Sequence, residues 1–503
     1  ADIIRQKPGC PVTASADLSD ALNGPRRALT ATFNARIISL IVALESAVHS
    51  SMRRLGIDAQ IMIVKGDGSI ATAESVIAKP IETILSGPAA SVIGARFLTA
   101  KNDFIIADIG GTTSDVAIVR NGWPALNEHG SDVGGFRTMV HAIDMQTVGL
   151  GGDSEVDVDF KGNVSLRTNR VVPLALVAHQ WPHVLSELVS ALGQTGGMRE
   201  ATNYILFPQG ASAGVFPDDL SAADRAFLDR LNTDKPTLYG DVVSGAADRS
   251  RVPRLVDRGI IQVSGFTPSD AAHVLGLQSQ WSEKGARLAC ELMGRASGKI
   301  EGARVESDVA AFARDVHDAV AAKSARLLLE RLSGKVFAKD DPIVNAVVNN
   351  QHRVGDMKIS LTPDIAIVAV GGPAAVFYPE VGRRLGTEVI IPPGSEVANA
   401  IGAAIGMIKV RAVVEITSSE AGGYLIHHLG EPELCESGPK AIERARELAR
   451  DTAQNESKIM GGHEVDIDVT VDRVDIPGLG EEISLVAATV TAEVVSAPEG
   501  TAR

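Results

Sequence analysis

One stretch constrains this 503-residue chain more than any other: Asp103 to Val119, reading DFIIADIGGTTSDVAIV. Phe104, Ile105 and Ile106 form a short apolar run that predicts a buried strand. Gly110-Gly111 breaks it with a tight turn, Val116 to Val119 supply a second strand, and Asn121-Gly122 closes that one. The turn between the strands gathers Asp108, Thr112, Thr113, Ser114 and Asp115. Two glycines let the backbone approach a ligand closely, and successive N–H groups can form an anion-binding nest. The hydroxyls of Thr112 and Thr113 add donors, and Asp108 at a strand end can hold a magnesium ion or its water. The chemistry points to a nucleotide phosphate. Spacing alone leaves open an ordinary hairpin whose Gly-Gly turn is polar.

The length gives room for two to four domains. Hydrophobic residues make up 45% and charged residues 22%, as in soluble globular proteins. A formal net charge of -14 argues against nucleic acid as a partner. No apolar run reads as a membrane span, and ADIIRQKPGC carries no signal-peptide core. Cys10, Cys290 and Cys435 are odd in number and far apart, so they predict neither a disulfide framework nor a zinc cluster. The expected setting is a reducing, cytoplasmic one.

Phe33, Ile37, Leu40, Ile41, Leu44, Val48, Met52 and Leu55 recur at helical spacing, with Gly56 where a C-cap belongs. Ile61 to Val64 predicts a strand that runs into the polar loop Lys65 to Ser69. Gly66, Gly68 and Ala71 there match G-x-G-x-x-A, a weak dinucleotide pattern that Pro80 soon interrupts. Pro80 to Leu98 predicts a loop feeding a helix with a small-residue face: Ala89, Ala90, Gly94 and Ala95. His129, Asp132, His141 and Asp144 are metal-compatible in type but match no compact zinc pattern, which favours a solvated connection. His179 and His183 stand four apart, with Pro182 breaking any helix that would align them. Glu306 to Leu332 predicts an amphipathic helix burying Val309, Phe312, Val316, Val320 and Leu327.

Ile365 to Val370 predicts a strand ended by Gly371-Gly372-Pro373, then a helix to Leu385 and a strand at Val389 to Ile391. This order suits a doubly wound sheet with a ligand at the strand ends. A second small-residue helix is expected over Ser395 to Met407. Beyond about residue 415 the expectation is a small α+β appendage: a charged helix, then a strand alternating Val465, Ile467, Val469 and Val471 with acidic residues, paired with Leu485 to Val495.

Asp108-Ile109-Gly110-Gly111-Thr112-Thr113-Ser114-Asp115 resembles D-x-G-G-T-x-x-D, the phosphate motif of the actin/Hsp70/sugar-kinase ATPase superfamily. Its surroundings resemble one branch, the hydantoinase A/5-oxoprolinase family. Leu85-Ser86-Gly87-Pro88-Ala89-Ala90 is similar to the segment before the motif, and Thr147 to Ser154 to the downstream Gly-rich loop. Val370 to Ala375 is similar to the adenosine-site loop, and Gly265 to Ala272 to the T-P-x-D-A segment. The matches span about Asn34 to Gly406 in order.

The resemblance implies an α/β, actin-like (ribonuclease H-like) ATPase fold with a large, mostly helical insertion at about 155–355 and a small C-terminal β-rich region. The expected division is a remainder of an N-terminal lobe over 1–100, a nucleotide-binding lobe over 101–415 and the appendage over 416–503. It further implies ATP and Mg2+ as cofactors, with Asp108 and Asp115 as catalytic carboxylates and Asp108 as the metal ligand. Gly110, Gly111, Thr112, Thr113, Gly151, Gly152, Gly371, Gly372 and Pro373 would hold the nucleotide. The implied activity is ATP-dependent opening of a cyclic amide by phosphoryl activation of its carbonyl. A related ketone carboxylase subunit, or a non-catalytic or partner-dependent nucleotide-binding subunit, is the alternative. A small carbonyl substrate and a homo-oligomer or second subunit are the expected partners, with neither nucleic acid nor membrane. The chain departs from the family by carrying Asp153 where a third glycine is common, and the downstream S-A-G-x-x-P-G-P-x-C-Y-G segment has no counterpart. The superfamily uses two phosphate hairpins and this sequence contains one, so most of the first lobe is expected to lie outside this chain.

Overall fold

The computed structural model describes residues 12–18, 23–127, 130–133, 135–140, 142–159, 161–193, 202–209, 216–300, 305–419, 422–428, 431–462, 467–477 and 483–498. Two compact units emerge. The first joins Ala1–Ala100, Gly122–Asp144 and Ala398–Arg503, and the second joins Lys101–Asn121 and Met145–Val397. This division differs from the expected one. A boundary at 415 falls inside the strand Ile408–Ser418, whose alternation of buried and exposed residues continues unbroken across it.

The second unit is mixed α/β. Strand β1 (Phe104–Ile109) turns back into β2 (Ser114–Arg120), and β3 (Met145–Val148) pairs along the other edge of β2. Strands β4 (Ser154–Val158) and β5 (Val164–Arg170) form a separate hairpin. Two helices follow that matter for the site, α1 (Pro268–Val274) and α2 (Val305–Ser333). Strand β6 (Ile367–Val370) lies parallel to β1, helix α3 (Ala374–Leu385) follows, and β7 (Val389–Ile390) lies parallel to β6. The sheet therefore runs β7-β6-β1-β2, with β3 beyond. All four residues of β6 are buried, as are Phe104 to Ala107 of β1, which is why both read as continuous apolar runs.

Helix α2 carries the five apolar residues expected of it, and they serve two cores. Val309, Phe312 and Val316 pack with Val177, Leu188, Tyr204 and Phe266, while Val320 and Leu327 pack with Ile105, Val116, Ile367 and Phe377. The region expected as a mostly helical insertion also contains a four-stranded sheet, built from Val172–Pro173, Gln262–Gly265, Tyr204–Leu206 and Thr237–Leu238. The helix Leu174–Gln180 ends before Pro182 and a new one starts at Val184, so His179 and His183 share no helix face.

In the first unit, Gly24–Leu55 is one helix with Gly56 in the left-handed region at its C-cap. By length and composition alone it could cross a membrane, and 11% of its most apolar window is buried. Arg36, Ser39, Glu45 and His49 interrupt its apolar residues, so no unbroken run of spanning length marks it. The Lys65 to Ser69 loop closes a hairpin between Met62–Val64 and Ile70–Thr72 instead of leading into a helix, so the dinucleotide-like pattern has no βα unit behind it. Its polar atoms are satisfied locally: the Ser69 N–H and hydroxyl donate to Asp67 at 2.9 and 2.6 Å, and Lys65 pairs with Glu82 at 3.0 Å.

The C-terminal sheet runs Glu433–Cys435, Tyr424–His427, Ile408–Ser418, Ile483–Ser496, Asp468–Pro477, with the helix Gly438–Ile459 against it. Ile70 joins its core, which makes this region part of the first unit rather than an appendage. The two small-residue helices, Ser86–Thr99 and Ala398–Ala404, cross at their glycines: a Cβ on Gly94 would strike the carbonyl of Ala398, and one on Gly402 the carbonyl of Ala90. Because the obstruction is backbone, it cannot rotate away. Gly402→Ala is therefore expected to cost about 2 kcal/mol, read as a lower midpoint in urea unfolding, whereas Gly24→Ala, with open space around it, should leave the midpoint unchanged.

Candidate functional site

The site is assembled by register. Asp108 pairs with Asp115 across the antiparallel strands and with Val370 across the parallel ones. Hence the β1–β2 turn and the turn after β6 end at the same level. Gly371 has φ +95°, and a Cβ there would meet the Ile109 carbonyl and lie 2.9 Å from a carboxylate oxygen of Asp108. Only glycine fits this turn on both counts.

Within the β1–β2 turn, the Gly110 N–H donates to the Thr113 carbonyl at 2.9 Å. The N–H groups of Gly111, Thr112 and Thr113 donate to nothing among the described residues. A Cβ on Gly110 would meet only the Thr113 carbonyl, at 3.8 Å, so one side of the turn is open. Three successive free donors on an accessible strand end form an arrangement that can bind an anion.

The downstream Gly-rich loop is stacked on this turn. Gly152 N–H donates to the Gly110 carbonyl (3.1 Å) and Asp153 N–H to the Gly111 carbonyl (2.7 Å). Ser114 Oγ donates to the Leu150 carbonyl (2.7 Å), and Gly151 N–H to Ser154 Oγ (3.0 Å). A Cβ on Gly151 would run into the backbone of Gly110 and Gly111, and one on Gly152 would lie 3.1 Å from Pro373. Asp108, Asp115, Gly110, Gly111, Thr112, Thr113, Gly151, Gly152, Gly371 and Pro373 are thus brought to one place. A Cβ on Gly372 meets nothing, so no contact within the protein explains glycine there.

The electrostatics are acidic. Asp115 accepts from Thr147 Oγ1 at 2.5 Å and Thr113 Oγ1 at 3.4 Å. Burial, with Asp108 adding like charge, pushes its carboxyl above the ordinary value against the pull of those hydroxyls. Asp153 is pushed up by burial too, while Arg170 pulls it down through contacts of 3.2 and 3.1 Å from Nε and Nη2. Lys323 donates to the Gly149 carbonyl at 3.1 Å, and burial lowers its pKa. The hydroxyls of Tyr378 and Ser324 are buried. Burial pushes the Tyr378 phenol up against the pull of the Ser324 hydroxyl, with Asp108 and Asp115 adding to the rise.

Several of these residues carry no motif. Arg170, Lys323, Ser324 and Tyr378 come from distant segments, and no sequence pattern marked them. Of the four metal-compatible residues, His129 and His141 lie outside the described residues, and no group of three or more His, Cys, Asp or Glu able to hold a metal occurs among the described ones. Cys290 is buried and its thiol is pushed up, chiefly by burial, consistent with an inert role.

Helix α1 supports the Gly-rich loop: Ser269 N–H donates to the Gly152 carbonyl at 2.8 Å. Its cap is Thr267, and Asp270 completes a capping box. Asp270 is wholly buried and accepts from Thr267 N–H and Oγ1 (both 2.8 Å), Ala175 N–H (2.6 Å) and Leu174 N–H (3.3 Å).

With the geometry established, known proteins offer a comparison. Residues 27–171 match the hydantoinase/oxoprolinase family, which bears out the resemblance carried by the motifs. No curated protein sequence matches the chain. A nucleotide-free acetone carboxylase structure, from work on ATP-dependent acetone carboxylation, superposes with a TM-score of 0.54 at 14% identity, covering 98% of this chain and 61% of that one. An ATP-dependent caprolactamase from Pseudomonas jessenii superposes with a TM-score of 0.51 at 14% identity, covering 99% and 62%. The chain spans about three fifths of the length of each.

The strut beneath the loop has a pH signature. Burial raises the Asp270 carboxyl from 3.8 to about 7, against its four donors. The folded state then binds the proton more tightly than the unfolded chain. This contribution to stability is full below 3.8 and is lost as pH rises through about 7. Asp270→Asn should flatten that decline in Tm. At mildly acid pH it should also cost about 3 kcal/mol, because an amide N–H2 faces groups that are already donors.

Proposed function

We propose that the loops at the ends of β1, β2 and β6 hold the phosphates of ATP with a magnesium ion. On this reading the chain is the nucleotide-binding part of an ATP-dependent enzyme of the hydantoinase/oxoprolinase type, acting on a cyclic amide or a related carbonyl compound. The observation that carries the reading is the run of three free N–H groups, Gly111 to Thr113, on an open strand end beside Asp108 and Asp115. The hairpin β1–β2 and the parallel unit β6-α3-β7 that flanks it fit an actin-like ATPase plan.

The donor set suits the groups this reading requires. Phosphate oxygens accept hydrogen bonds and carry negative charge, so free amides suit them. Magnesium prefers carboxylate and water oxygens, which Asp108 can offer directly or through water. The ion would supply neutralisation of the phosphate charge during transfer. Asp115, with its oxygens held by Thr147 and Thr113, stays oriented toward the same strand end. Gly371 to Pro373 would border the nucleoside, because a turn without side chains leaves room for a base.

An unstrained amide carbonyl is a poor electrophile. Moving the terminal phosphoryl group of ATP onto the carbonyl oxygen breaks the bond to the ADP leaving group and makes the carbonyl carbon open to water. Attack by one water, followed by departure of the ring nitrogen with a proton as the C–N bond breaks, leaves an acyl phosphate. A second water displaces phosphate from it, so both carboxylate oxygens come from water and the original carbonyl oxygen leaves with phosphate. A similar phosphorylation of a ketone would prepare it for carboxylation.

Titration calorimetry tests the reading. The parent chain should bind ATP in the presence of magnesium, and Asp108→Ala should weaken this by about tenfold or more, the size of a lost charge-assisted contact. Gly371→Val should abolish binding, since its side chain would press on the Asp108 carboxylate. Equal binding by parent and both variants would remove this site from consideration. If ATP turnover follows addition of a cyclic amide, heavy oxygen placed in its carbonyl should appear in inorganic phosphate. Label that stays with the product would exclude phosphoryl activation.

A further inference from the structure

The phosphate turn has an awkward neighbour. Asp153 N–H is bonded to the Gly111 carbonyl at 2.7 Å, and a Cβ on Gly111 would run into the Asp153 carboxylate. With Asp108 and Asp115 at the strand ends, the free amides of Gly111 to Thr113 share their surroundings with three carboxylates. An incoming phosphate would be repelled by each of them. The nucleotide reading therefore needs positive charge from this chain as well as from a metal ion.

Hairpin geometry supplies it. Register places Arg170, the last residue of β5, opposite Ser154, the first residue of β4. A shift in register precedes Arg170, and the Val171 N–H is tied to the Asp153 carbonyl at 3.0 Å. The backbone of Arg170 is thereby fixed beside Asp153. Its Nε and Nη2 both point at Asp153 Oδ2, at 3.2 and 3.1 Å. A guanidinium has five N–H donors, and the remaining ones donate to nothing among the described residues. The Asp153 side chain is 12% exposed and that of Arg170 is 61% exposed. One partner is anchored against the turn, and the other is a charged fork with free donors on the solvent side.

We propose that Arg170 binds the terminal phosphate of the nucleotide, and that Asp153 is a positioning residue that holds the guanidinium beside the Gly111 to Thr113 turn. The inference rests on the nucleotide reading and deepens it. An arginine suits the task better than a lysine, because a planar fork can bind two phosphate oxygens while keeping a bond to a carboxylate. Asp153 brings a negative charge to the loop and Arg170 masks it. Without Arg170 that charge would face the phosphate.

The test compares triphosphate with diphosphate on the full chain. Calorimetry with magnesium is run with ATP and with ADP on the parent, Arg170→Ala, Arg170→Gln, and Arg170→Ala combined with Asp153→Asn, with Tm measured for each. Both single variants should bind ATP about tenfold more weakly, the loss expected for one charge-assisted fork. Their affinity for ADP should stay within about twofold, well below the loss of such a contact. The double variant should regain severalfold affinity for ATP, because it removes the carboxylate that Arg170 had masked. Equal losses for ATP and ADP together with a drop in Tm would make the pair a purely structural link and overturn the proposal. Parent-like ATP affinity in both single variants would also overturn it, while leaving the nucleotide site intact. A parent chain that binds neither nucleotide would sink this proposal and the reading beneath it.

Discussion

The alignment of β1 between an antiparallel and a parallel neighbour is the constraint on which the rest of the site depends. Asp108 is the residue where both ladders are counted, facing Asp115 on one side and Val370 on the other. A shift of one residue in either ladder would turn the side chains of that strand to the opposite face. It would also move Gly371 away from the carbonyl of Ile109, against which it now lies. Register in turn is held by burial. Both faces of β1 and β6 are covered, so slipping either strand would expose Ile105, Ile106, Ile367 or Val368 or force a polar residue inside.

A strand end built this way concentrates charge. Two facing aspartates and a third carboxylate behind the turn are costly to keep together in a folded protein. Part of the cost is offset locally, by Thr147 and Thr113 on Asp115 and by Arg170 on Asp153. The amides of Gly111 to Thr113 remain unpaired among the described residues. Unsatisfied groups held by an otherwise well-packed core are the usual mark of a binding site, where stability is exchanged for readiness to bind.

The support comes from packing at long range. Helix α2 contributes to two cores of the second unit, so the sheet that carries the turn and helices such as Leu174–Gln180 and Val184–Leu192 are fastened to one element. Asp270 ties helix α1 to the start of the helix Leu174–Gln180 through backbone donors, and Ser269 beside it holds the Gly152 carbonyl. In the first unit close approach is achieved differently, by removing side chains altogether where Gly94 and Gly402 meet facing carbonyls.

Much of this was legible in the sequence, because much of it is local. The Gly-Gly turns, the apolar runs of β1 and β6, the cap at Gly56 and the buried stripe of α2 are set by residues within a few positions of one another. The family resemblance of their motifs also marked the phosphate turn, the Gly-rich loop and the Gly371 loop as one set. What only the tertiary structure decided were pairings between distant segments. Ile408–Ser418 carries a clear period of two, yet nothing local says that its partner is Ile483–Ser496 or that Ile70 completes their core. Asp270 belongs to a recognisable segment, and its burial becomes visible only when Leu174 and Ala175 are placed over it. No local pattern marks Arg170, and only the hairpin's register sets it against Asp153. Local patterns are written by the backbone's own periodicities, whereas these contacts depend on which surfaces meet once those elements have buried their apolar faces.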